Sequence, residues 1–158
     1  MLIPLQQFVC DTCKQVIEKP EDGWLEWIHD SDKGEVHSFR ITHHHSVSPL
    51  GGQEGCYQHG DTKGRSDDHL HNVMRHSILE LLMHLDPGSY HDPDNKRARI
   101  SDIRNYADTF RRLTIPYYEE ARVYWDKAIA NGVFDSQNEI SIYMEDMLKR
   151  VIERYSEY

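Results

Sequence analysis

Three cysteines stand in the 158-residue chain, and two of them form Cys10-Asp11-Thr12-Cys13. Thiolates two residues apart can reach one ion from a single tight turn, which is how structural zinc sites are built. Cys56-Tyr57-Gln58-His59 supplies a third sulfur and an imidazole at the same spacing. An odd cysteine count with a close pair fits metal ligation better than a disulfide framework, whose cysteines come in even sets at wider spacing. A redox dithiol would need a helix launched from the C-x-x-C turn in a βαβ setting, whereas a hairpin pattern follows here. The chemistry is therefore ligation of one Zn2+ by Cys10, Cys13, Cys56 and a histidine. Three thiolates and an imidazole fill a tetrahedron and leave no open position for a catalytic water.

The fourth ligand is open among three histidines. His59 belongs to the second cluster, and His43 and His44 end a strand of the hairpin. A turn centred on Ser31 to Lys33 sets Trp24 opposite about Ile41 and Asp22 opposite about His43, so the strand finishes beside the Cys10–Cys13 turn. His44 and His59 are carried forward as the alternatives, with His43 in the same group. The ligand pattern over about residues 8–60 resembles the zinc-ribbon and zinc-knuckle modules as a broad group. That resemblance implies that the ion holds the local fold together; the chain departs from the pattern in offering more histidines than a site needs.

These residues must be positioned by short strands. Gly23 to His29 and Glu35 to His45 alternate aromatic and β-branched residues around a polar turn ending in Gly34, which reads as a β-hairpin. On the returning strand His37, Phe39, Ile41, His43 and His45 should share one face, because side chains alternate. Ser46 to Gly60, rich in glycine, reads as a loop. Few large aliphatic residues occupy this region, so a two-stranded unit would be marginal without a metal.

Beyond residue 65 the period becomes helical. Apolar stripes predict helices from about Ser66 to Leu85, from near Ser101 (as N-cap) through Leu113, from Pro116 to about Ile129, and from about Gln137 to Tyr155. Ile103, Leu82, Ile129, Ile140 and Met144 fall on the faces assigned inward. The predicted class is α+β: a small zinc-closed β-hairpin module over 1–65 and a body of about four α-helices over 66–158, as two units or one integrated domain.

Charge bounds the function. The net charge is −9, with 16 acidic and 7 basic residues over 1–95 and 11 of each over 96–158. Strong binding to a phosphate backbone is disfavoured, although Lys96, Arg97, Arg99, Arg104, Arg111 and Arg112 make a local basic patch that also reads as a solvated helix face paired with Asp102 and Asp108. No P-loop, dinucleotide fingerprint, H-E-x-x-H or G-x-S-x-G is present. The leading expectation is a zinc-binding protein with a structural metal and a protein-interaction or regulatory role through its aromatic-rich helices, with no catalytic residues. The alternative is a metal-dependent nuclease or hydrolase using the histidine- and aspartate-rich segment 43–71, with Asp61 or Asp67 as a base. The N-terminus shows no basic, apolar leader pattern, so the expected address is cytoplasmic, with no membrane partner.

Overall fold

The computed structural model describes residues 1–57, 64–76, 78–86, 88 and 99–156. Among these, helices and two small sheets combine in an α+β arrangement. β1 (Phe8–Val9) pairs antiparallel with β2 (Val16–Ile17), and the ribbon holds the Cys10–Cys13 turn at its tip. β3 (Gly23–Asp30) and β4 (Glu35–His43) form the hairpin, and β5 (Arg65–His69) adds to β3 to give the order β4-β3-β5.

One extra residue in β4 decides which side chains reach the ribbon. Near the turn Ile28 faces His37, yet further on Glu26 faces Arg40, so Trp27 stands opposite both Ser38 and Phe39. Ser38 takes a positive φ of 58°, the left-handed geometry of a bulge residue. A bulge reverses the parity of every later side chain. Val36 is therefore buried before it, and Phe39, Ile41 and His43 after it. The single shared face running from His37 to His45 does not form. His37 instead bonds the neighbouring Ser38 hydroxyl at 2.8 Å, and His45 lies beyond the strand in a 3-10 turn. The register at the strand end also moves by one, with Gly23 opposite His43 and Trp24 opposite Thr42.

β4 is an edge strand, so beside the bulge the Phe39 N–H and carbonyl on its outer side have no strand partner, and Asn105 supplies one. Its side chain accepts from the Phe39 N–H at 2.7 Å and donates to the Phe39 carbonyl at 3.0 Å. Asn105 lies on α3 (Ile103–Thr114), so the helix is pinned to the sheet at the bulge.

Several predicted boundaries shift. Ser66–His69, expected as the start of a helix, pair with β3 as part of a strand, and Arg65 at its head reaches Glu26 at 2.9 Å and Asp67. The helical residues that follow are α1 (Leu70–His76) and α2 (Ile78–Leu85). Asp102, and not Ser101, caps α3, accepting from Asn105 N–H at 3.0 Å. α4 (Tyr118–Ala121) and α5 (Trp125–Ala130) follow, and α6 (Glu145–Tyr155) starts later than Gln137. Asn138 holds that approach in a tight turn by accepting from the N–H groups of Ile140 and Ser141. Ile140 and Met144 thus precede the helical stripe and are exposed, as are Leu82, Ile103 and Ile129.

Apolar packing forms two clusters. Phe8, Ile17, Leu25, Phe39, Ile41, Leu70 and Tyr106 belong to the first, with both buried cysteines at its edge. Tyr118, Ala121, Leu148, Val151, Ile152 and Tyr155 build the second. Tyr106 also ties the first cluster to α2 through a hydrogen bond from its hydroxyl to the Leu81 carbonyl. No helix among the described residues is long and apolar enough to cross a membrane.

Asn105→Ala should strip the partners from the Phe39 N–H and carbonyl at the sheet edge and lower stability by about 2–4 kcal/mol; urea unfolding measures this, and an unchanged midpoint would show that water replaces Asn105 at that edge. A pH effect follows from His84, which is boxed by Trp27 and Phe39. Burial, reinforced by Arg99, lowers its pKa to about 4. Between that value and the ordinary one near 6.5 the unfolded chain binds a proton that the folded chain refuses. The His84 contribution is therefore full above about pH 6.5 and falls away toward pH 4, by up to about 3 kcal/mol. His84→Leu should show a smaller loss between pH 7 and 4.5 than the wild type in matched unfolding curves.

Candidate metal centre

The ribbon turn is built to aim two sulfurs inward. Cys10 N–H donates to the Gln15 carbonyl and Lys14 N–H to the Cys10 carbonyl, at 2.9 and 3.0 Å. Lys14 takes a positive φ of 64°, closing the turn. Asp11 then fastens it to β4, donating from its N–H to the Ile41 carbonyl at 2.8 Å and accepting the Ile41 N–H on its carboxylate at 2.7 Å. Thr12 donates its hydroxyl to the Cys56 carbonyl at 2.5 Å, which draws in the second cysteine segment. Gly55, at φ +55°, lets that segment pass so close to Ser48 that a Cβ would lie 2.8 Å from the Ser48 hydroxyl oxygen. The same hydroxyl donates to Cys56 Sγ at 3.1 Å.

Cys10, Cys13, His43 and Cys56 converge, with one ligand atom from each lying within 4.8 Å of all the others. Cys10 and Cys56 are fully buried and His43 nearly so. His43 Nδ1 is 3.4 Å from Cys13 Sγ and 3.8 Å from Cys56 Sγ. Around a tetrahedral zinc, sulfur and nitrogen ligands would stand roughly 3.5 Å apart. The other ring nitrogen, Nε2, lies 3.2 Å from the Val16 carbonyl. A carbonyl only accepts, so a neutral His43 carries its proton on Nε2 and turns the Nδ1 lone pair to the sulfurs. This is the outer partner that orients a metal-binding histidine.

Ionisation of the sulfurs is uneven. Burial opposes it at Cys10, but backbone hydrogen bonds from Cys13, Thr12 and His43 outweigh that cost and bring the thiol down to about 7. Burial pushes Cys13 up, and a charged Cys10 beside it pushes further, to about 12. One thiolate therefore forms near neutrality and opposes the next, an opposition that a bound cation removes. The four residues could hold a metal ion.

The predicted candidates separate clearly. Cys10, Cys13 and Cys56 are brought together, and the histidine that joins them is His43. His44 stands outside the group: its ring lies parallel to Trp24 at 5.1 Å, and its Nδ1 bonds the Ser46 hydroxyl at 2.7 Å. His59 and Asp61 lie outside the described residues, as do Lys96 and Arg97. Asp67 pairs with Arg65 at 2.5 Å, and His69 stacks on Trp24 at 4.3 Å. In the basic stretch Arg112 is not part of a solvated face; it is buried against Asp11 and Glu119. Ser48, the Val16 carbonyl and Arg112 were not among the predicted site residues. The aspartate inside C-D-T-C was the available signal for a buried cation near the turn. Comparison of the chain with models of known families, with curated proteins and with solved structures yields no match.

Proposed function

We propose that the chain is a zinc-binding protein in which Cys10, Cys13, His43 and Cys56 hold one Zn2+ whose role is structural, and whose helical body serves as a protein-interaction surface. The observation that carries the zinc reading is the convergence of three sulfurs and one oriented imidazole within 4.8 Å. Soft thiolates with an imidazole in a tetrahedral arrangement favour zinc among the common divalent ions. A filled four-ligand shell leaves no exchangeable water, which argues for a structural use over hydrolysis. The ion would join the ribbon tip, the end of β4 and the Ser46–Tyr57 loop.

The interaction reading is supported by a cleft of about 710 Å³ lined by Arg104, Arg111, Tyr118, Trp125 and Tyr143, among others. Arg111 already lies over the Tyr143 ring at 4.7 Å, and Trp125 stacks on Tyr143. Arginine, tryptophan and tyrosine are the side chains that most often anchor protein partners.

Purified protein should contain one zinc per chain by elemental analysis. Cys10→Ser, Cys13→Ser, Cys56→Ser and His43→Ala should each release it and loosen the N-terminal strands while most helical circular dichroism persists, whereas His44→Ala should keep it. Retention of zinc by His43→Ala, or its loss from His44→Ala, would refute the proposed ligand set. For the partner surface, proteins captured on wild-type bait should be lost with the double variant Arg111→Glu/Trp125→Ala while its zinc content stays unchanged. Identical capture by both baits would remove the cleft from consideration.

A further inference from the structure

Cys10 is flanked by two residues that the helical body grips. Arg112, on α3, is 2 % exposed in its side chain. Its guanidinium donates to the Asp11 carboxylate at 2.6 Å and to the Val9 carbonyl at 3.0 Å. The same group donates to both Glu119 carboxylate oxygens, at 2.7 and 2.9 Å. Glu119 lies on α4 and accepts the Val9 N–H at 2.8 Å. The residues before and after the first metal-binding cysteine are therefore clamped by one buried arginine and one buried glutamate.

The clamp spans the two apolar clusters. α3 packs with the sheet through Tyr106 and Leu113, whereas α4 packs with α6 through Tyr118 and Ala121. A planar guanidinium can satisfy two carboxylates and a carbonyl at fixed angles, which a lysine ammonium cannot. Such a buried set holds only when every member is in place, since removing one leaves another charge unpaired. Disorder in the Cys10 turn would withdraw Asp11 and Val9 from the set. Displacement of α4 would withdraw Glu119.

We propose that Arg112 and Glu119 are positioning residues for the metal centre, and that through them zinc binding at the cysteines and docking of α4 form one linked equilibrium. This inference rests on the zinc reading given above and adds a direction of control: the ion stabilises the seat of the second helical cluster, and that seat raises the affinity for the ion. Linkage makes the two effects equal in free energy.

Arg112→Ala strands two carboxylates in the interior and can simply unfold the chain, so conservative variants of the full chain carry the test. Zinc affinity is measured by competition with a chromophoric chelator, and amide hydrogen exchange over residues 118–124 is followed with and without zinc. Asp11→Asn, Glu119→Gln and Arg112→Lys should each weaken zinc binding about ten- to hundred-fold, the range for outer partners of metal ligands. Asp11→Asn/Glu119→Gln should lose less than the product of the single losses, because both act through Arg112. Removing zinc from the wild type should speed exchange over 118–124. In Glu119→Gln exchange should already be fast and respond little. Folded variants with zinc affinity within about twofold of wild type, or wild-type exchange over 118–124 indifferent to zinc, would overturn the linkage while leaving the ligand set standing. A wild-type chain that takes up no zinc sinks the metal reading and this inference with it.

Discussion

Three sulfurs cannot share one small buried volume as thiolates without a positive charge among them. Cys10, Cys13 and Cys56 are held within 4.8 Å of one another and of His43, and the backbone hydrogen bonds that bring the Cys10 thiol down to about 7 make the next ionisation harder. The surroundings are organised around that constraint. The ribbon turn points its peptide N–H groups at sulfur, Ser48 donates to Cys56, and the Val16 carbonyl fixes the tautomer of His43. Each arrangement aims a side chain at the shared volume, and in small zinc modules a metal held by such a set adds folding free energy on the order of 10 kcal/mol.

Delivery of the imidazole depends on one residue of backbone. With the turn at Asp30–Glu35 fixed and Val36 facing the core, strict alternation would carry His43 to the opposite face of the sheet. The extra residue at Ser38 reverses the parity and turns His43 toward the cysteines. Beside the bulge, the outer-edge N–H and carbonyl of Phe39 are closed by Asn105 from a helix more than sixty residues later in the chain. α3 thus grips β4 beside the bulge through Asn105 and carries Arg112 to Asp11 in the Cys10–Cys13 turn.

What was legible in the sequence was whatever depended on residue type at short spacing. The C-x-x-C pair, the third cysteine, the hairpin and the mixed class all followed from local pattern. The choice among the histidines did not, because it turned on a bulge whose residue is a serine, with no glycine or asparagine to announce a positive φ. Ser66–His69 fell at the start of the helix expected from about Ser66, where the carboxylates of Asp67 and Asp68 suit the first turn. The segment is strand, paired with β3, and Arg65 at its head finds its partner in Glu26 there, contacts that lie outside any local window. Arg112 looked like one member of a surface patch for the same reason: Asp11 is 101 residues away along the chain.

X-ray absorption at the zinc edge, on protein purified without added metal, bears most directly on the central claim. A structural site made of Cys10, Cys13, Cys56 and His43 predicts a four-coordinate shell of three sulfurs at about 2.3 Å and one nitrogen at about 2.0–2.1 Å. A five- or six-coordinate shell dominated by oxygen and nitrogen, or two sulfurs with an exchangeable water, would contradict it.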